Sequence, residues 1–335
     1  MIKAEIDILE NDIHDKYPGV LETLLRDHTT QKNIFWATDN YTDLGDAYKF
    51  TSQIFPELIT GINGNIIMPR VKKDKETQLT RVRDMAEVYT PSWICNAQNN
   101  LIDNAWFQRE NIFNTEIINS NGTKTWVNTI EKISFPKEKS WKHYIKDTRL
   151  EIACGEAPYI ASRYDTTTGE FIPIEKRIGL LDRKMRVINE NVNDSGEWLD
   201  AVQTAYKNIY AYDWQGDSLL LARETLLITF IENYIFKFSK EPLLKSIQYI
   251  AYIISWNVWQ MDGLKAVIPN SCITKINENT TLFGELEKII VACDGCKQDN
   301  IKKHNGIYSL IKDWSNKDLE TGGKGRKIKF VDLLK

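Results

Sequence analysis

Apolar positions recur three and four residues apart over 216–238, GDSLLLARETLLITFIENYIFKF, and again over 242–256, and this spacing predicts two helices. Arg223, Glu224, Glu232 and Lys245 interrupt both stretches, so neither is an uncharged span of membrane length. Shorter apolar runs predict strands. One opens RLEIACGEAPYI (149–160) and runs into a tight turn; others are NIYAYD (208–213), IYSLIKDW (307–314) and KIKFVDLL (327–334). Asn121-Gly122 within 115–128 predicts a β-hairpin, and the turn-rich 164–174 a second. Thr90 as N-cap and Pro91 at the first helical position predict a helix with Ile94, Leu101, Ile102 and Trp106 on its apolar side. Further helices are expected over 138–146, 176–191 and 196–208. Strands alternating with helices from residue 87 onward predict an α/β domain with a largely parallel sheet. Residues 1–85 mix helical patches with aromatic residues and end in a charged run over 70–86, read as a connector or exposed helix.

A chain of 335 residues with 42% hydrophobic and 27% charged residues is long enough for a full core, and its composition excludes a disordered chain or a fibre. The N-terminus shows no basic segment followed by an apolar run, so a cytoplasmic location and no membrane partner are expected. A net charge of −3 provides no global footprint for nucleic acid. Two basic runs, 69–83 and 324–329, read as solvated surface, with phosphate contact as the alternative for each. Five cysteines argue against a disulfide framework. Cys293 and Cys296 form a Cys-x-x-Cys, with Cys272 upstream and His304 downstream. The plain reading is reduced thiols and no metal; structural zinc on these four residues is the alternative.

Three segments carry candidate chemistry. In RLEIACGEAPY, a strand entering a glycine-containing turn lets backbone N–H groups approach a ligand, with Glu151, Cys154 and Gly155 around it. In NIYAYDWQGDSLLLAR, Asp213 stands at a strand tip, where a carboxylate can grip ribose hydroxyls, and Asp217 stands at the N-cap position of the next helix. Trp214, directly after Asp213, is a candidate to pack on a base; most of the ten tryptophans are expected in the core. In NVWQMDGLK, Asp262 is placed to accept an exocyclic amine of adenine. There is no G-x-S-x-G and no Walker-type loop, and the four histidines are scattered, so hydrolase chemistry has little support.

Taken in order with AEVYTPSWICNAQNNL, these segments resemble the adenine-specific DNA methyltransferases that use S-adenosylmethionine, in particular methylase-type subunits of restriction systems. Glu87, Tyr89, Thr90 and Pro91 stand in the family's E-x-Y-T-P pattern, and residues 151–157 in its glycine motif. Asp213 with Ala222, Arg223 and Leu226 stands in its ribose motif, and Met261-Asp262-Gly263-Leu264 in its adenine motif. The resemblance implies a Rossmann-like methyltransferase sheet with helices on both faces over 86–335, an insertion near 160–205, and an N-terminal, mostly helical extension over 1–85 for recognition or docking. It implies S-adenosylmethionine held by Tyr89, Thr90, Pro91, Glu151, Cys154, Gly155, Asp213, Trp214 and Asp262. Two departures stand out. Ala157 replaces the second motif glycine, and the family's catalytic N-P-P-Y tetrapeptide is absent, since all nine prolines are isolated. That tetrapeptide holds a flipped adenine. The implied function is therefore a cofactor-binding subunit of a DNA adenine methyltransferase in restriction-modification or phage defence, with no catalytic residue of its own. DNA and a second methyltransferase or restriction subunit are its expected partners. The alternative is a non-catalytic DNA-binding or regulatory protein on a degenerate methyltransferase scaffold.

Overall fold

A computed structural model describes residues 6–7, 10–85, 89–280, 286–317 and 324–334. Short elements open the chain: α1 (Glu10–Lys16), α2 (Val20–Leu25), the two-residue strands β1 (Arg26–Asp27) and β2 (Lys32–Asn33), and α3 (Pro56–Ile59). Helix α4 (Lys75–Met85) and helix α5 (Ser92–Phe107) precede the hairpin β3 (Asn114–Ile118) and β4 (Lys124–Asn128), which turns at Gly122 with φ +82° as its Asn-Gly predicts. Then come α6 (Trp141–Lys146), β5 (Arg149–Ile152), α7 (Leu180–Asn191), α8 (Ser195–Tyr206), β6 (Ile209–Asp213), α9 (Gly216–Phe238), α10 (Leu244–Asn257) and β7 (Val258–Gln260). The chain continues through β8 (Lys275–Thr280), β9 (Leu286–Val291), α11 (Asp294–Gln298), β10 (Leu310–Lys317) and β11 (Lys324–Lys329).

Among the described residues the parallel sheet has three strands in the order β5-β6-β7. Its two faces differ. Ile209, Ala211 and Val258 join α7–α10 in the main apolar core, which residues 13–67 also enter through Leu21, Leu24, Ile34 and Trp36. On the other face, Tyr210, Tyr212 and Trp259 pack against Ile311, Phe330 and Val331 from the C-terminal segment. The expected Rossmann-like sheet with helices on both faces is thus not what the chain forms. The remaining strands pair locally and antiparallel, as β1-β2, β3-β4, β8-β9 and β10-β11. The expected strands over 307–314 and 327–334 are displaced: β10 begins at Leu310, and β11 ends at Lys329, after which Phe330–Leu333 form a 3-10 helical turn. β10 and β11 hydrogen-bond to each other instead of extending the parallel sheet, and the C-terminal segment covers its second face where helices were expected. Strand periodicity reports extension and not the identity of the partner.

Helix α9 runs over all 23 residues from Gly216 to Phe238. Four other sequence expectations are corrected. Helix α5 buries Asn96, Asn99 and Asp103, while Leu101 and Ile102 are exposed. The polar face is tolerated because Arg183 bonds Asp103 (2.7 Å) and Asn96 (3.0 Å), and Asn99 donates to the carbonyls of Tyr159 and Ile178. The charged run over 70–86 is not all surface: Arg81 is fully buried against Asp217 at 2.8 Å. Asp217 lies inside α9 and is not its N-cap, and Pro91, not Thr90, caps α5. Among the described residues no helix is long and apolar enough to cross a membrane.

Candidate functional site

Strands β5 and β6 run parallel, so their carboxyl ends open side by side, where ligands sit in parallel sheets. The chain leaves β5 through a loop in which Ala153, Gly155 and Ala157 all take left-handed backbone angles, φ +47°, +53° and +59°. For alanine this conformation costs about 1–2 kcal/mol. Ala157 therefore occupies the conformation that the motif glycine would take more easily. The loop is fastened from β6: the Gly155 N–H donates to Asp213 Oδ2 (2.8 Å), and the Gln215 N–H donates to Oδ1 (3.0 Å).

A cleft of about 690 Å³ opens there, within the roughly 300–1,000 Å³ of small-ligand sites. It is lined by Tyr89, Thr90, Glu151, Cys154, Gly155, Asp213 and Trp214, which the sequence presents in three separate segments. Two expected residues stay off the wall. Pro91 caps α5 behind Thr90. Asp262 spends its carboxylate in its own turn, accepting from the N–H groups of Leu264 (3.0 Å) and Lys265 (3.2 Å) and pairing with Lys265 Nζ at 3.4 Å. Glu87 lies outside the described residues. Arg223, from the ribose-motif match, is fully buried and donates to the carbonyls of Val258, Leu24, Arg26 and Ser255, so it braces the fold away from the cleft.

Sequence reasoning missed Gln260. Its amide accepts from the Phe35 N–H (3.1 Å) and donates to the carbonyls of Phe35 (2.8 Å) and Trp214 (2.9 Å), pinning the N-terminal segment to the cleft rim. That segment brings Ala37 and Phe50 into the lining, and the basic run contributes Arg83. The aromatic cluster around residue 50 was the one available signal; no local pattern marks Ala37.

Glu151 is the electrostatically unusual member. It is 8% exposed; its Oε1 is 3.4 Å from the Tyr159 N–H, and its Oε2 is buried without a hydrogen-bond partner. Burial pushes its carboxyl up to about 8, the N–H groups of Tyr159 and Ile160 oppose this, and the charge of Asp213 adds to it. Cys154 is buried beside the same acids, and burial raises its thiol well above the ordinary range, so it is a neutral wall and not a nucleophile. This set of acceptors suits a ligand with a cationic group for Glu151 and hydroxyls for Asp213, since a carboxylate oxygen can accept more than one hydrogen bond.

Outside the cleft lining, Cys272, Cys293, Cys296 and His304 do converge, with all four potential ligand atoms within 4.8 Å of one another. Comparison with family models, curated proteins and solved structures yields no match to this chain.

Proposed function

We propose that this chain is the S-adenosylmethionine-holding subunit of a DNA adenine methyltransferase of restriction-modification or phage-defence type, with the base-holding tetrapeptide supplied by a second chain. The observation that carries the reading is the convergence of Tyr89, Thr90, Glu151, Cys154, Gly155, Asp213 and Trp214, taken from separate motif matches, on one cleft with an unpartnered buried carboxylate oxygen. Bound S-adenosylmethionine supplies a methyl group activated on a sulfonium. Glu151 receives the ammonium of its amino-acid part, which satisfies Oε2 and draws the carboxyl into its ionised form. Asp213 accepts from the ribose hydroxyls while holding the 153–158 loop in place. Gly155 leaves room for close backbone approach, and Trp214 and Phe50 provide apolar wall for the base.

The second chain has a place to sit on this reading. β5 is an edge strand among the described residues, and its Leu150 and Ile152 are 44% and 65% exposed. Ile152 also lines the cleft, so a partner seated along β5 borders the cofactor.

Calorimetry on the full chain tests the proposal. S-adenosylmethionine should bind with micromolar affinity, Asp213→Ala should abolish the heat, and at pH 7 binding should release close to one proton as Glu151 ionises. Proton release is read by comparing buffers of different ionisation enthalpy. No heat from the wild-type chain, or binding indifferent to Asp213→Ala, rejects the cofactor role. DNA binding without cofactor binding would point instead to a regulatory protein on a degenerate scaffold.

A further inference from the structure

We infer that Cys272, Cys293, Cys296 and His304 form a structural zinc site, independent of the cleft. His304 Nδ1 stands 3.6 Å from the Sγ of each of the three cysteines. Hydrogen bonding does not account for this, because one imidazole nitrogen either carries a single proton or offers a single lone pair. A tetrahedral metal does. With Zn–S of about 2.3 Å and Zn–N of about 2.0–2.1 Å, a tetrahedron places sulfur and nitrogen about 3.6 Å apart. Three thiolates and one imidazole are also the soft, borderline donor set that selects zinc over magnesium or calcium.

The surroundings hold these four groups together. The Asn305 N–H points at Cys293 Sγ at 3.2 Å, a donor to a ligand sulfur. The Asn305 side chain brackets the peptide next to Cys272, accepting from the Ile273 N–H (3.0 Å) and donating to the Ile273 carbonyl (2.7 Å). The His304 N–H donates to the Tyr308 hydroxyl at 2.9 Å. Two glycines allow the approach. A Cβ on Gly295, inside the Cys-x-x-Cys, would fall 2.6 Å from the His304 ring, and one on Gly306 would fall 3.1 Å from Cys272 Sγ.

All four coordination positions come from the protein, so the site is closed and structural, not catalytic. Its position indicates its task. Cys272 precedes β8 and Cys293 follows β9, so the metal clasps the root of that hairpin. Tyr308, bonded to the His304 backbone, packs into the apolar layer on the second face of the parallel sheet, so the clasp joins the hairpin to that layer.

The test is metal analysis of the full chain purified under reducing conditions. We expect about one zinc ion per chain. Replacement by cobalt should give the intense visible bands of tetrahedral Co(II) together with sulfur-to-metal charge transfer. Cys296 is exposed, so Cys296→Ser leaves the core intact, and it should weaken zinc binding by more than about a hundredfold. A wild-type chain that takes up neither zinc nor cobalt saturably, or that folds with Cys293 and Cys296 joined as a disulfide, overturns the proposal, as does undiminished zinc binding by Cys296→Ser. Because S-adenosylmethionine enters none of these measurements, the outcome is separable from that of the cofactor proposal.

Discussion

Glu151 and Asp217 are both buried carboxylates beside the same cleft, one at the tip of β5 and the other in the first turn of α9 between the cleft-lining Gln215 and Ser218. Burial raises the carboxyl of each. At Asp217 the opposing charges of Arg81 and Lys73, with hydrogen bonds from Arg81 and Tyr41, outweigh burial and hold the carboxyl far below the usual range. At Glu151 two backbone N–H groups do not compensate, and the carboxyl stays near 8. The difference lies in the supply of donors, not in depth. Asp217 is saturated by the protein and belongs to the fold. Glu151 keeps one oxygen without a partner, and that capacity is what a ligand can use.

The strongest way to break this contrast is to unsaturate Asp217. Arg81→Ala strips the buried Asp217 carboxylate of its 2.8 Å partner, with Lys73 at 3.8 Å compensating only in part, and should cost about 3–5 kcal/mol, read by denaturant unfolding. Asp217→Asn added to Arg81→Ala should recover part of the loss by removing that charge. A double variant no more stable than Arg81→Ala alone would mean that Arg81 acts through packing and not through its charge.

Glu151→Gln probes the other side, with a smaller effect of opposite sign. A carboxyl at about 8 in the folded chain and at the ordinary 4.5 in the unfolded chain binds protons more tightly when folded. Stability therefore falls as pH rises from 4.5 to 8 and levels off above. The glutamine variant should match wild type near pH 4 and exceed it by a few kcal/mol at pH 9, since each tenfold difference in proton affinity between the two states is worth about 1.4 kcal/mol. It should also lose the proton release on binding. Equal stability of the two chains at both pH values would show that Glu151 is already satisfied in the apo protein.

Much of the framework can be read along the chain, because helix length, leucine spacing and an Asn-Gly turn are local signals. Helices α9 and α10, strands β5 and β6 and the β3-β4 hairpin fall close to where periodicity places them. What escapes are properties decided by a distant partner. Arg81 reads as solvated until Asp217, 136 residues away, is folded against it. Asn96, Asn99 and Asp103 read as the wet side of α5 until Arg183 satisfies two of them. The parallel sheet was expected to be larger, but the strands that form near 307–314 and 327–334, β10 and β11, take each other as partners, and Phe330–Leu333 turn into a 3-10 helix. The cleft was readable as separate fragments, and the segment NVWQMDGLK sends Gln260 to brace its rim through the Trp214 carbonyl, while Asp262 stays in its own turn. The Cys-x-x-Cys was visible by spacing, whereas the arrival of Cys272 and His304 beside it depends on the route of the chain.

The finest division between fold and ligand capacity lies within the loop itself, at Gly155. Its φ of +53° carries the left-handed cost for any other residue, yet a Cβ built there meets nothing within 4 Å. Gly216, by contrast, faces the Phe35 carbonyl oxygen at 2.1 Å from its would-be Cβ, so that glycine is required by packing. Gly155→Ala should therefore cost only about 1 kcal/mol of stability, the backbone strain less the entropy removed from the unfolded chain. Its N–H still reaches Asp213, so the loop stays fastened. The added methyl group stands in the open space of the cleft, and affinity for S-adenosylmethionine should drop about tenfold, or 1.4 kcal/mol. A variant that loses several kcal/mol of stability would reveal that the loop is packed shut at this point. One that binds as well as wild type would place the ligand elsewhere, and with it the reason for the unpartnered oxygen of Glu151.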